Sequence, residues 1–203
     1  MTLKDDLIAM DACQEIIDWV GDRDLATAWA ECPDATWMLW YAETKKIDKK
    51  LFAECALTCA KTVLQSASQR HIIQDEDNSR LIIEVEQRCL ENPTEENIKT
   101  LIFASDAARF ACYKNRPTNH RILSAYGGRG LLNEDFENVG SAYETILFAS
   151  YAVWFACRVI RFDSDASRCA NDAAWSASRA DDTINVPDII RGIITIDVLE
   201  EKP

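Results

Sequence analysis

Phe52-Ala53-Glu54-Cys55-Ala56-Leu57-Thr58-Cys59-Ala60 is echoed by Phe103-Ala104-Ser105-Asp106-Ala107-Ala108-Arg109-Phe110-Ala111-Cys112 and by Phe148-Ala149-Ser150-Tyr151-Ala152-Val153-Trp154-Phe155-Ala156-Cys157. Each copy reads Phe-Ala, then Ala three residues later, then Ala four later again. That spacing is the helical period and sets the alanines on one face. A stripe of small side chains lets neighbouring helices approach closely, while the flanking Phe and Cys fill the remaining space. Ala56, Ala107 and Ala152 are therefore expected at close helix contacts. An α-solenoid of two-helix repeats would space its copies by about 40 to 47 residues. Here the intervals are unequal and no capping repeats are recognisable, which favours an irregular multi-helix bundle over a solenoid-like stack.

Outward from these helices, five prolines and six glycines leave long uninterrupted stretches, so the chain is expected to be all-α. A first helix is predicted over 3–20, stopped by Gly21, and a short one over 24–31. Pro33 breaks the chain, and Asp34 can accept hydrogen bonds from the free N–H groups of a helix over 35–44. Further helices are predicted over 48–67, 79–91, from Pro93-Thr94-Glu95-Glu96 to 114, over 135–162 with a break near Gly140, over 164–180 and over 187–194. The β-branched run 193–198 could form a strand, but one with nothing to pair with. The whole is read as one domain over 1–203. It comprises Trp-rich N-terminal helices (1–45), an Ala-rich core with a basic loop near 114–133 (46–182), and a C-terminal helix with an acidic tail (183–203).

Composition narrows the function classes. The 203 residues hold 22 Lys and Arg against 34 Asp and Glu, a formal charge of −12, with 48% hydrophobic content, which excludes a disordered acidic tail. Direct nucleic-acid binding is disfavoured, because it draws on clustered cations that displace counterions. An acidic protein instead attracts basic surfaces. The eight cysteines are scattered, mostly inside apolar helical patterns, and read as small core residues rather than a disulfide framework. The first six residues lack a basic stretch followed by an apolar one, and the longest nearly apolar run, 146–157, is shorter than the roughly 20 residues that span a bilayer. A reducing cytoplasm, with no membrane, is the expected setting.

Motifs for chemistry are sparse. Asp163-Ser164-Asp165 with Cys169 and Asp172 lacks the further oxygens and the turn glycine of a calcium loop, and helix capping explains it. Cys55 and Cys59 share a helical face, but no Cys-x-x-Cys or paired histidine accompanies them, so core packing is the better reading than zinc. His71 and Asp75 could pair as base and orienting acid, although no motif places a nucleophile beside them. Tyr126-Gly127-Gly128-Arg129-Gly130 lacks the preceding strand and the Lys-Ser/Thr ending of a phosphate loop. No cofactor or metal is expected.

Charge is more informative than motif. Residues 1–50 sum to −5, 51–113 to −4 and 134–203 to −7, whereas 114–133 sum to +4. No acid occurs between Asp106 and Glu134, and Lys114, Arg116, His120, Arg121 and Arg129 fall there. Asp75-Glu76-Asp77 is the densest short acidic run. The candidate partner-binding residues are accordingly Asp75, Glu76 and Asp77 toward a basic target, Arg116, Arg121 and Arg129 as a secondary contact, and Trp37 and Trp40 as an apolar one.

The N-terminal part holds four of the six tryptophans. The run Ala12-Cys13-Gln14-Glu15-Ile16-Ile17-Asp18-Trp19, then Ala26-Thr27-Ala28-Trp29-Ala30-Glu31-Cys32, then Trp37-Met38-Leu39-Trp40-Tyr41-Ala42 resembles the opening of the immunity protein family associated with bacterial polymorphic toxins and also found in phages. Asp188-Ile189-Ile190-Arg191 resembles its closing segment. Family members often read Gly-Asp before Trp-x-x-Trp, where this chain has Ala35-Thr36, and Gly192 and the acidic extension also depart from the pattern. The resemblance implies an all-helical, non-enzymatic protein that neutralises another macromolecule, and the acidic charge implies that it meets a basic patch on that target. A phage-encoded inhibitor of a bacterial defence complex, its carboxylates occupying a nucleic-acid channel, follows from the same charge. A small hydrolytic enzyme using His71 or His120 would be a different class, with only residue type to speak for it.

Overall fold

A computed structural model of the chain describes residues 2–69, residues 84–103 apart from 86, 90, 93 and 101, residues 151, 152 and 155, and residues 166–200. Every regular element among the described residues is an α-helix. They run α1 Leu3–Ala9, α2 Gln14–Val20, α3 Leu25–Glu31, α4 Ala35–Thr44, α5 Lys49–Gln69, α6 Ala166–Ala180, α7 Val186–Ile193 and α8 Ile196–Glu200. Further helical residues lie within 84–103 and at 151, 152 and 155. No helix among the described residues is long and apolar enough to cross a membrane.

One local expectation needs correction, and one alternative left open by the sequence is resolved. The helix predicted over 3–20 is two helices, because the chain leaves α1 through Asp11 at φ 58°. The Asp11 N–H bonds to the Ile8 carbonyl at 3.1 Å and the Ala12 N–H reaches back to the Leu7 carbonyl at 3.0 Å. This is a Schellman termination with Asp in the left-handed position that glycine usually takes. The run 193–198 forms no strand. Ile194 leaves the helical region while its N–H still bonds to the Ile190 carbonyl at 2.8 Å, and the helix resumes as α8.

The core is built on small side chains. α6 packs most extensively on α5 and next on α4. Its inward face consists of Ala166, Ala170, Ala173, Ala174, Ala177 and Ala180, with Ser167, Cys169 and Ser176 beside them. On α5 the inward residues include Phe52, Cys55, Ala56, Cys59, Ala60 and Val63. Two faces this shallow let the helix backbones approach closely. Of the described alanines of the Phe-Ala pattern, Ala56, Ala60 and Ala152 are fully buried and Ala53 is half-buried, whereas its phenylalanines diverge. Phe52 is 3% exposed and Phe103 78%. Ala107 lies outside the described residues.

Larger side chains join this core from α1, α4, α5 and α7, with Leu7, Met38, Leu39, Leu57 and Ile190 fully buried. Each contributes about 1.5–3 kcal/mol by leaving water. Buried residues of all eight helices join one core. The two ends of the chain also meet: α7 packs on α4 and α5, and α8 on α3. In an open solenoid each repeat touches only its neighbours, so this closure fits the bundle. At the α6–α7 turn the Asp181 carboxylate, 3% exposed, accepts hydrogen bonds from Thr183 N at 3.0 Å, from Thr183 Oγ1 at 2.7 Å and from Ser66 Oγ of α5.

Candidate interaction site

Three of the four short N-terminal helices open on a side-chain cap, whereas α2 starts after Cys13 with none. Thr2 and Asp5 form a reciprocal capping box on α1, with the Thr2 N–H on Asp5 Oδ2 at 2.8 Å and the Asp5 N–H on Thr2 Oγ1 at 3.2 Å. Asp24 accepts from Thr27 N at 2.8 Å to open α3. Asp34 accepts from Thr36 N at 2.7 Å and Trp37 N at 3.2 Å to open α4, as its place after Pro33 predicts. Those hydrogen bonds hold the Asp5 and Asp24 carboxyls below their ordinary value.

Between these helices lies an apolar notch of about 40 Å³, open to solvent. Leu3 and Leu7 come from α1, Ile16 and Trp19 from α2, and Trp29 from α3. Trp37, Trp40 and Tyr41 of α4 complete it. Trp29 is buried, whereas Trp19, Trp37 and Trp40 are half-buried. The Trp19 and Trp37 rings lie 6.0 Å apart at 54°, a tilted contact of the kind aromatic pairs prefer. The Arg23 guanidinium sits over Trp19, 4.9 Å from its centroid, and closes on Glu31 at 3.0 Å. Lys45 stands 5.1 Å from the Tyr41 ring. Burial pushes the Tyr41 hydroxyl up from its ordinary value, Lys45 opposes this and nearby Asp6 adds to it. Burial likewise raises the Cys32 thiol, which donates to the Asp34 carbonyl at 3.4 Å.

The chain segment that carries the first three of these helices is acidic. Residues 2–34 hold nine acids against Lys4 and Arg23, and Asp5, Glu15, Asp18, Asp22, Asp24 and Glu31 are exposed. From the far end of the chain, Arg191 reaches the same region. One guanidinium nitrogen donates to the Cys32 carbonyl at 2.9 Å and the Trp29 carbonyl at 3.3 Å and lies 3.9 Å from Met38 Sδ, while another pairs with Asp188 at 2.6 Å. Trp29 returns the contact, its Nε1 donating to the Ile194 carbonyl at 3.0 Å.

Of the residues singled out from sequence, Trp37 and Trp40 are brought together on this notch. Asp75, Glu76, Asp77, Arg116, Arg121 and Arg129 lie outside the described residues, as do His71, His120, the 126–130 loop and Asp163-Ser164-Asp165. Cys169 faces the core on α6. Cys55 and Cys59 are buried in α5, and burial pushes both thiols up, that of Cys59 to about 12, so they stay protonated and pack as small apolar groups. Among the described residues no group of His, Cys, Asp and Glu is placed to hold a metal ion. The acid density of residues 2–34 is legible in the sequence, although no single run there is as dense as Asp75-Glu76-Asp77. The grip of Arg191 on the N-terminal helices has no local signal, because its partners there lie 153 to 162 positions away. Comparison with protein-family models, curated proteins and solved structures finds no match for the chain.

Proposed function

We propose that the chain is an acidic, non-enzymatic interaction protein that neutralises a basic macromolecular target, in the manner of an immunity protein. The observation that carries this reading is the juxtaposition of an apolar, Trp-lined notch with the acidic segment that supplies three of its four helices, nine acids and two bases over residues 2–34. Apolar centre and charged surround is the anatomy of a contact surface, with the charges steering the encounter and excluding wrong partners. The net charge of −12 extends that field over the molecule.

The test begins with the partner recovered from host lysate and proceeds to its association kinetics. Association should slow as salt rises, since the screening length falls from about 10 Å at 0.1 M to 3 Å at 1 M. Converting Asp75, Glu76 and Asp77 to Asn, Gln and Asn should weaken binding through the on-rate, and neutralising Arg116, Arg121 and Arg129 probes a second contact. Rates that ignore both salt and charge would leave the acids a solubility role and sink the reading. So would loss of activity in a folded variant with His71 and His120 both changed to Gln, which would restore the enzyme class. Whether the partner is a toxin or a defence complex separates an antidote from a phage inhibitor.

A further inference from the structure

Resting on that reading, we propose that the notch takes one aliphatic side chain of the basic partner, the size of leucine, as the buried anchor of the contact. Its volume sets the size of the guest. At ~10–15 Å³ for each water-sized guest, about 40 Å³ admits roughly three or four non-hydrogen atoms. An isobutyl group matches that count, whereas a methyl leaves most of the space empty and an indole overfills it. The lining sets the chemistry. Leu3, Leu7, Ile16 and Leu25 offer no hydrogen bond, the Trp29 indole N–H is bonded to the Ile194 carbonyl, and the Cys32 thiol is bonded to the Asp34 carbonyl. A polar or charged head entering there would lose its water without replacement.

The lining rings point the same way. Two of them already face cations of the chain itself, Trp19 beneath Arg23, which is paired with Glu31, and Tyr41 beside Lys45. A cationic guest would meet like charge at both. Trp19, Trp37 and Trp40 are half-buried, so they keep surface that a guest can cover, and tryptophans around a pocket are residues on which contact energy concentrates. The partner's charge is set outside the notch. Three of the four helices that line it belong to the segment with nine acids and two bases, and Glu15, Asp18 and Asp22 of that segment are exposed. Cations flanking the anchor residue complement them, whereas a second copy of the chain would bring the same acids and repel.

The experiment uses the full chain and a short Lys-rich peptide with one central Leu, alongside versions with Ala, Arg or Trp in its place. Binding is read from the indole N–H signals of Trp19, Trp37 and Trp40 by NMR. The Leu peptide should move those signals saturably, and the Ala peptide should bind roughly tenfold more weakly, the loss expected when a leucine side chain is no longer buried. The Arg and Trp peptides should fall with Ala. Two variants locate the effect. Ala28→Leu, which fills the notch from α3, should bring the Leu peptide down to the Ala one, and Trp40→Ala, which removes a half-buried wall, should do the same if the filled variant does not fold. An Ala, Arg or Trp peptide that binds as tightly as the Leu one would overturn the inference, as would no binding or a preference that survives both variants. Signals that shift with protein concentration in the absence of peptide would give the notch to a second copy instead. Because the flanking charge is the same in every peptide, these ratios test the notch alone, and the broader reading stands or falls on the salt and charge response of the target itself.

Discussion

Gly21 ends α2 at φ 53° and ψ −119°, a backbone conformation that side-chain-bearing L residues rarely adopt. A Cβ built there would meet only the Asp18 carbonyl at 3.9 Å, so the demand for glycine is one of backbone and not of space. Gly21→Ala should therefore cost about 1–3 kcal/mol from strain alone, measurable as a lower denaturation midpoint with an unchanged slope. The glycine was readable as a helix stop, whereas Asp11, which does the same task for α1, was not. Aspartate takes the left-handed region far less often than glycine, and nothing in its neighbourhood marks the turn. Asp24 makes a second residue-scale prediction. Its hydrogen bonds to Thr27 lower the folded-state pKa below the ordinary 3.8, so its stabilising effect is complete above that value and is lost as pH falls through the folded one. Asp24→Asn, which keeps a capping oxygen but cannot titrate, should shrink the acid limb of a stability–pH profile and leave the neutral region nearly unchanged.

At the scale of elements, the periodicity of alanine predicted helices and their contact faces, and the structure pairs those faces. Ala56 on α5 and Ala173 on α6 are both fully buried, on the two helices with the most extensive mutual packing. Leu at either position has no room without parting the helices, at about 1–3 kcal/mol. Each single variant should melt below the parent, and a double variant should fall short of the summed loss because one separation relieves both. Equal melting in all of them would show that the small-residue faces do not set the helix spacing. The sequence pointed to α5 through its Phe-Ala copy, yet α6 carries the longer small-residue face with no Phe in it. A pattern anchored on Phe missed the partner, and the divergence of Phe52 and Phe103 shows why: alanine is the constraint, and phenylalanine follows whatever surface is nearby.

At the scale of the whole molecule, the joining of the two chain ends is the feature least legible in sequence, since no local propensity encodes a contact between residues 29 and 194. It also links stability to the candidate site. Arg191, with its side chain 22% exposed, supplies a cation and two hydrogen bonds to carbonyls near the C-terminal end of α3, where the helix dipole is negative. Those carbonyls belong to Trp29 and Cys32, and Met38 lies beside them, so the three residues it touches on the N-terminal helices all line the notch. Hydrogen bonds to charged groups contribute about 1.5–3 kcal/mol, and removing the guanidinium also leaves a partly buried carbonyl pair to find new partners. Arg191→Ala should therefore destabilise by about 2–4 kcal/mol, and Arg191→Lys should recover only part of it, because an ammonium lacks the fork that bridges Asp188 to both carbonyls. The location of the effect decides between a local and a closing role. If α7 merely needs Arg191 for its own helix, hydrogen exchange in the Ala variant will quicken over 186–193 alone. If Arg191 closes the molecule, the amides of α3 and the first turn of α4 will quicken as well, and the Trp29 indole N–H will lose its protection, more than 160 positions away from the substitution.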